Sequence, residues 1–173
     1  VYWEKGFFPA KPSDQPEWVK EVGFGRQSVA ITLENCYDDW CMSILAKELN
    51  KEEDYQYYLK RALNYQNVFD TATGFMRPKT ADGRWIEPFD PIWSGGQGRR
   101  EFYTENNGWN YTWYVPHDVE GLIGLMGGRE KFTDKLQTMF ETNVPLYQKY
   151  DFLKQYPDMT GWIGMYSHGN EIT

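Results

Sequence analysis

Two amphipathic segments that follow one another between residues 31 and 69 constrain the fold of this chain more than any other feature. Only a short break around Asn50 separates them, so we predict an antiparallel αα-hairpin, because so short a connection leaves two helices side by side. In the first segment, residues 31–49, the apolar side chains recur at helical spacing and predict one buried face: Leu33, Tyr37, Trp40, Cys41, Ile44, Leu45 and Leu49. In the second, which begins at Lys51, the predicted inner face is Tyr55, Tyr58, Leu59, Ala62, Tyr65 and Phe69.

The residues at the ends of these segments fit helix termini. Ser28 is a suitable N-cap for the first helix. The acidic residues 52–54 suit the positive end of the second helix dipole, and residues 70–74 end that helix. Cys36 and Cys41 are five residues apart on a helix, too far to be bridged without unwinding it, and we predict two buried free thiols.

The rest of the chain alternates long loops with shorter helices. Residues 74–116 are rich in Gly, Pro and Trp without a sustained period, and so long a loop in a compact domain is expected to be functional. A short helix is predicted at 117–126, with Val119, Leu122, Ile123 and Met126 inward. Gly127 and Gly128 end it, and a further helix is predicted at 129–142, with Phe132, Leu136, Met139 and Phe140 inward.

This succession of helical hairpins and loops predicts a mainly α fold. The long aromatic, Gly-rich loops gather at one end of antiparallel helical hairpins, which is the arrangement in part of an (α/α)6 toroid. We predict an irregular N-terminal segment at residues 1–27 and part of the toroid at 28–173. The chain lacks an initiator Met and a signal peptide, and both ends look like cuts in a longer polypeptide.

Composition narrows the range of partners. With 18 basic and 25 acidic residues the formal net charge is -7, which argues against nucleic acid as a partner. No apolar stretch approaches the roughly 18 residues of a membrane-spanning helix. Aromatic residues make up 18% of the chain, and Trp and Tyr stack on sugar rings as well as packing in cores.

A glutamate lies in the densest aromatic stretch, residues 102–118. Glu105 has Tyr103, Trp109 and Tyr111 as neighbours in sequence. Apolar surroundings raise the pKa of a carboxyl group, which is what the proton donor of a glycoside hydrolase requires. From the residues alone, a general acid and a surface-loop glutamate fit this pattern equally well.

The other polar residues near this stretch are more ambiguous. Asp118 follows Pro116 at a helix start, where capping is a better reading than ligand binding. His117 is either a structural residue or a donor in a pocket. Further on, His168, Asn170 and Glu171 surround a glycine; amide and carboxylate oxygens suit calcium, although a hydrogen-bonded turn is the simpler interpretation.

Taken in order, several of these stretches resemble glycoside hydrolase family 92, the calcium-dependent, inverting, exo-acting α-mannosidases. The resemblance runs through nearly the whole chain but covers only the middle of the family's helical toroid. The stretches that carry it are Tyr37-Asp-Asp-Trp40, Gly74-Phe-Met-Arg77, Pro88-Phe-Asp-Pro91, Tyr103-Thr-Glu105, residues 109–121 and His168-Gly-Asn-Glu171.

The resemblance implies a set of roles. Glu105 corresponds to the general acid, and Asn170 and Glu171 lie in the motif at the calcium ion. The residues implied in substrate binding are Trp109, Asn110, His117, Asp118 and His168. The catalytic base is an aspartate beyond Thr173, outside this chain. Asn106 stands where the family usually has Gly, Asn110 where it has Gln, and Ile172 where Pro is common.

The implied function is removal of terminal α-linked mannose from glycans, with inversion and with calcium, by a secreted or periplasmic protein. Because the base is missing, we expect this chain alone to be inactive, and we expect faces exposed by truncation to make it oligomeric. Two alternatives stay open: a structural helical scaffold, or a non-catalytic carbohydrate-binding module. The module would use four indole rings as platforms: Trp85, Trp93, Trp109 and Trp113.

Overall fold

In a computed structural model, the protein is described over residues 1–12, 15, 18–19, 24–92, 102–104, 106–146 and 151–163. The helices are α1 (Tyr2–Lys5), α2 (Ser28–Glu48), α3 (Glu52–Ala62), α4 (Gly108–Tyr111), α5 (Val119–Leu125) and α6 (Arg129–Glu141), with 3-10 helices at Leu63–Val68 and Asp151–Gln155. The strands are β1 (Trp18–Val19), β2 (Phe24–Gly25), β3 (Phe69–Asp70), β4 (Phe75–Met76), β5 (Asn143–Pro145) and β6 (Thr160–Trp162).

The predicted αα-hairpin is present. The ammonium group of Lys47 near the end of α2 lies 5.6 Å from the ring of Tyr55 near the start of α3. Eight residues back along α2, Asp39 pairs with Arg61 at the end of α3, with Oδ1 and Nη2 2.9 Å apart. The pairs run in opposite directions along the two helices, so α2 and α3 are antiparallel.

The turn between these helices closes in a Schellman motif. Asn50 adopts the left-handed conformation with φ 55°. Its N–H donates to Lys47 O at 3.0 Å, and the N–H of Lys51 donates to Ala46 O at 2.9 Å. Asn tolerates this conformation better than other residues with a side chain, which explains how one residue can end α2 so sharply.

The start of α2 differs from the prediction. Ser28 is the first helical residue rather than the N-cap, and its Oγ has no partner in the described part of the chain. The N–H groups of Val29 and Ala30 instead donate to the carbonyl oxygen of Phe102, at 3.0 and 3.2 Å. A distant loop therefore accepts the hydrogen bonds that a capping side chain would, and no local pattern encodes that.

The buried face of α2 was predicted incorrectly beyond Leu33. Ile44, Leu45 and Leu49 are exposed, as is Cys41, whereas Cys36 is a buried free thiol. Thr32 and Ser43 take part in the buried face because their hydroxyl groups bond to carbonyls of their own helix, to Ser28 O and Trp40 O, both at 2.7 Å. The buried residues are Ser28, Val29, Ala30, Thr32, Leu33, Cys36, Asp39, Ser43 and Ala46.

The helices after residue 117 follow the prediction with two exceptions. Gly127 and Gly128 separate α5 from α6 with φ values of 90° and 112°, which residues with a Cβ rarely adopt. Val119 and Phe140 are exposed rather than inward. Val119 is the first residue of α5 and Phe140 is the last but one of α6, so both lie beyond the apolar residues of these helices that face the core.

The core joins the hairpin to the long loop. Its buried members are Phe7, Ala10, Val29, Leu33, Cys36, Tyr65, Val68, Phe69, Met76, Ile86, Phe102, Tyr103, Val115 and Leu122. The antiparallel strand pairs β1–β2, β3–β4 and β5–β6 are two or three residues long, too short to give a sequence period.

The mainly α fold class is confirmed, while the domain boundary at residue 27 stays a prediction. Within the described ranges, no helix has the length and apolar character required to cross a bilayer.

Candidate functional site

The loop around position 105 is fixed at both ends to the same residue of β4. The hydroxyl group of Tyr103 donates to Met76 O at 2.6 Å. The N–H of Met76 donates to Thr112 Oγ1 at 3.1 Å. Tyr103 and Thr112 are both buried, so these hydrogen bonds are shielded from water. The segment from 103 to 112 is therefore anchored to the core on either side of position 105.

Within this loop lies a short helix that the sequence analysis missed. Asn107 caps α4, its side-chain oxygen accepting from the N–H of Asn110 at 3.2 Å. A Cβ at Gly108 would lie 3.3 Å from Pro91 O and 3.1 Å from the Tyr103 hydroxyl oxygen, so the helix approaches its neighbours closely. An Asn before a Gly is a usable N-cap signal, but one turn of helix gives no apolar period.

Next to this anchored loop is an open cleft of about 470 Å³. It is lined by Glu34, Thr104, Asn106, Asn110, Tyr111 and Tyr114. Thr104 and Asn106 are the immediate neighbours of position 105, so the residues on both sides of that position border the cleft. The side chain of Glu105 lies outside the described residues, as do His168, Asn170 and Glu171.

The cleft contains a carboxyl group that the sequence analysis did not select. Glu34 lies on α2, one turn before Tyr37, and is half-buried. Burial, and then the negative charge of Asp38, raises the pKa of Glu34. Glu34 lies three residues before Tyr37, where a stretch that resembles family 92 begins. That position was a usable signal, but a single acidic residue on a helix is usually interpreted as solvated.

Two further cleft residues have unusual polar environments. The side-chain Oδ1 atom of Asn110 is buried and receives no hydrogen bond from the described part of the protein. Tyr114 is partly exposed, and burial, followed by the negative charge of Glu34, raises its pKa. Glu34 and Tyr114 both line the cleft.

Asp118 caps α5, as the sequence predicted. Its Oδ1 accepts from the N–H of Gly121 at 3.0 Å, and its Oδ2 accepts from the Tyr65 hydroxyl at 2.7 Å. A Cβ at Gly121 would lie within 2.4 Å of both Asp118 and Tyr65 side-chain oxygens, so only glycine fits there. Both carboxylate oxygens of Asp118 thus have protein partners, and its role in substrate binding stays a prediction.

His117 lies among aromatic rings beside this cap. Its Nε2 is 2.9 Å from Ala62 O, while Nδ1 is buried without a partner among the described residues. The ring centroids of Tyr37, Trp40 and Tyr65 lie 6.2, 6.4 and 5.8 Å from that of His117. The bond to Ala62 connects the start of α5 to the end of α3, which is a structural role; binding of substrate by His117 is untested.

Comparison with known proteins decides the family. A sequence model of the glycosyl hydrolase family 92 catalytic domain matches residues 1–173. The chain belongs to glycoside hydrolase family 92. It is also 32% identical over 161 residues to an uncharacterised secreted glycosidase of Arthroderma benhamiae, covering 80% of this chain and 20% of that protein.

Solved structures agree with this family. The chain is similar to a family 92 α-mannosidase from Bacteroides thetaiotaomicron in complex with mannoimidazole, with 37% identity, a TM-score of 0.70, and coverage of 83% of this chain and 18% of that one. It is also similar to a family 92 inverting mannosidase from the same organism, with 35% identity, a TM-score of 0.67, and coverage of 86% and 18%. The chain therefore spans about a fifth of the length of its relatives, and the predicted family and fold class are confirmed.

Three of the four tryptophans predicted as sugar platforms contact other side chains of this family 92 chain. Trp109 meets Phe75 edge to face at 4.9 Å, and the ammonium group of Lys135 lies 4.7 Å from the Trp109 centroid. Burial lowers the pKa of Lys135 to about 8. Trp113 packs edge to face on Phe132, and Trp85 holds an ammonium group over its ring at 4.1 Å. Trp93 lies outside the described residues.

Family 92 resemblance implies a calcium site at Asn170 and Glu171. Both residues lie outside the described part of the structure. Among the residues that are described, no three or more His, Cys, Asp or Glu side chains cluster in a way that could hold a metal ion. The calcium assignment therefore stays a prediction from the HGNE motif at 168–171.

Proposed function

We propose that the complete protein removes terminal α-linked mannose from glycans with inversion, and that Glu105 is its general acid. One observation carries the proposal: in a family 92 chain, the residues on both sides of position 105 border a cleft, on a loop anchored to the core. Related structures described as an inverting mannosidase and as a mannosidase with mannoimidazole bound support the substrate class.

The chemistry follows from this placement. A protonated Glu105 would donate its proton to the glycosidic oxygen as the bond to the sugar breaks. An inverting hydrolase places its base roughly 6.5–9.5 Å from the acid, with the attacking water between them. The base is implied in a part of the protein beyond Thr173, so we expect the isolated 173-residue chain to be inactive.

We further propose that Asn170 and Glu171 contribute oxygen ligands to calcium. Amide and carboxylate oxygens are the ligands that this hard cation prefers. When bound, calcium would supply positive charge to polarise sugar hydroxyl groups. We expect a chelator to lower kcat/KM of the complete protein by about 100-fold or more, because a bound metal ion contributes several kcal/mol to catalysis.

The chelation experiment needs two controls. Added calcium should restore activity, whereas magnesium, which prefers a smaller octahedral site, should restore much less. The stability of the chelated protein should be followed by circular dichroism, so that lost activity is separated from unfolding. Full activity after exhaustive removal of metal would contradict the calcium proposal.

The isolated chain should self-associate through α2. Ile44 and Leu45 near the end of α2 and Leu49 at its C-cap are all exposed, and exposed apolar side chains that are clustered drive association in water. We expect the 173-residue chain to form oligomers in light scattering after size exclusion, and Leu45→Glu to shift it towards monomer. Leu63→Glu, at an exposed leucine outside α2, should not. A wild-type chain that is strictly monomeric would refute this.

The rival function, a non-catalytic carbohydrate-binding module, has less support. It requires free indole faces, yet Trp85, Trp109 and Trp113 contact other protein side chains. The module would bind mannose equally well with and without a chelator.

The similarity to a secreted glycosidase supports our further proposal that the complete protein is secreted or periplasmic.

A further inference from the structure

The cleft beside position 105 contains a carboxyl group and an amide oxygen that is buried without a partner among the described residues. Glu34 places a half-buried carboxyl group on the wall of this cleft. The Oδ1 atom of Asn110 is the acceptor that receives no hydrogen bond from the described part of the chain. Buried acceptors are normally satisfied, and those that are not usually mark a place for water, an ion or a ligand. Both residues line the same cleft.

The chemistry of this pair selects one class of ligand. A carboxylate and an amide oxygen both need donors, and a polyol such as a sugar supplies several hydroxyl donors at short spacing. A phosphate or carboxylate ligand would be repelled by Glu34. Tyr111 and Tyr114 add aromatic surface to the same cleft, which suits the apolar face of a sugar ring.

The support of Glu34 is rigid. It lies in the first third of α2, a helix of 21 residues. The start of α2 donates to Phe102 O, and the middle is held by the ion pair between Asp39 and Arg61, at 2.9 Å. Phe102, whose carbonyl group accepts these hydrogen bonds, is three residues before position 105. A ligand bound to Glu34 would therefore keep a fixed position relative to that loop.

We propose that Glu34, together with Asn110, binds hydroxyl groups of the sugar in this cleft and is a substrate-positioning residue of the enzyme. The inference rests on the proposed mannosidase function and deepens it, because it assigns a second carboxyl group to the site. Glu34 acts on the ground state and the transition state alike, holding the sugar against the loop that carries Glu105.

The first test compares variants of the complete protein on a terminal α-mannoside. Glu34→Gln should lower kcat/KM about tenfold or more, mainly through KM, because a hydrogen bond to a charged group is lost in all bound states. Glu34→Asp should recover part of the loss. Glu48→Gln, at an exposed glutamate on the same helix, should change nothing. Unchanged KM in Glu34→Gln would overturn the proposal.

The second test measures binding without turnover. In a Glu105→Gln background, we expect Glu34→Gln to weaken the affinity for mannose about tenfold in calorimetry. If Glu105→Gln stays fully active, the general-acid assignment fails, yet the binding comparison still judges Glu34. If Glu34→Gln lowers the unfolding temperature and leaves mannose affinity unchanged, the residue is structural and the inference is wrong.

Discussion

Glu105→Gln in the complete protein should reduce hydrolysis of an α-mannoside with a poor leaving group by about 10²–10⁴-fold, the usual contribution of a general acid. Gln keeps the size of the side chain and removes the transferable proton. With an activated leaving group such as a nitrophenolate, which departs without protonation, the loss should be much smaller. The measurement is kcat on both substrates.

The ratio of the two losses is the diagnostic quantity. A variant that merely disturbs folding would slow both substrates equally. Glu120→Gln, at an exposed glutamate on α5, removes the same charge and should leave both rates unchanged. Equal and small effects of Glu105→Gln on both substrates would assign proton donation to another group.

Asp70→Asn should be strongly destabilising. Arg77 is buried and pairs with Asp70, with Nη1 and Oδ2 2.8 Å apart, and its other Nη donates to Ile86 O at 2.9 Å. Removing one partner of a buried ion pair leaves an uncompensated charge, at a cost of about 3–5 kcal/mol. Glu87 also pairs with Arg77 but is exposed, so it compensates little. The change is measured by urea unfolding.

An exposed ion pair supplies the control. Arg129 and Glu120 are both largely exposed, so Glu120→Gln should alter the free energy of unfolding by less than about 1 kcal/mol. A change of that size in Asp70→Asn would show that Arg77 finds other partners. Because Arg77 follows β4, to which the loop around position 105 is bonded, we also expect Asp70→Asn to lower activity.

The same ion pair gives a dependence of stability on pH. Burial alone would raise the pKa of Asp70, but hydrogen bonds from Arg77, the Ala72 N–H and Thr73 outweigh it and lower the pKa. The stabilisation is thus fully present above the unfolded-state pKa of about 3.9 and is lost as pH falls through the lower, folded-state value. Asp70→Asn should flatten this part of the acid unfolding curve.

The elements set by local chemistry were predictable from the sequence. The hairpin, the Asn50 turn, the cap at Asp118 and the glycine break at 127–128 each depend on neighbours within a few residues. The family was also predictable, since its motifs occur in order along the chain.

What the sequence could not reveal depends on contacts between distant residues. The buried face of α2 includes Thr32 and Ser43, whose hydroxyl groups bond to carbonyls within the helix. The start of α2 depends on Phe102, 74 residues after the helix begins. Glu34 became a candidate only when α2 was seen beside the loop at 104–114, because one acidic residue on a helix has no distinguishing pattern.

The two hydrogen bonds to Met76 determine which positions of the segment 103–112 can change without moving it. Tyr103 and Thr112 fix where the segment enters and leaves the core, whatever residues lie between them. Asn106 and Asn110, two residues that line the cleft, both fall inside that interval. Substitutions at these two positions could thus change the lining of the cleft during evolution without moving the segment. A change at Tyr103 or Thr112 would displace the whole segment.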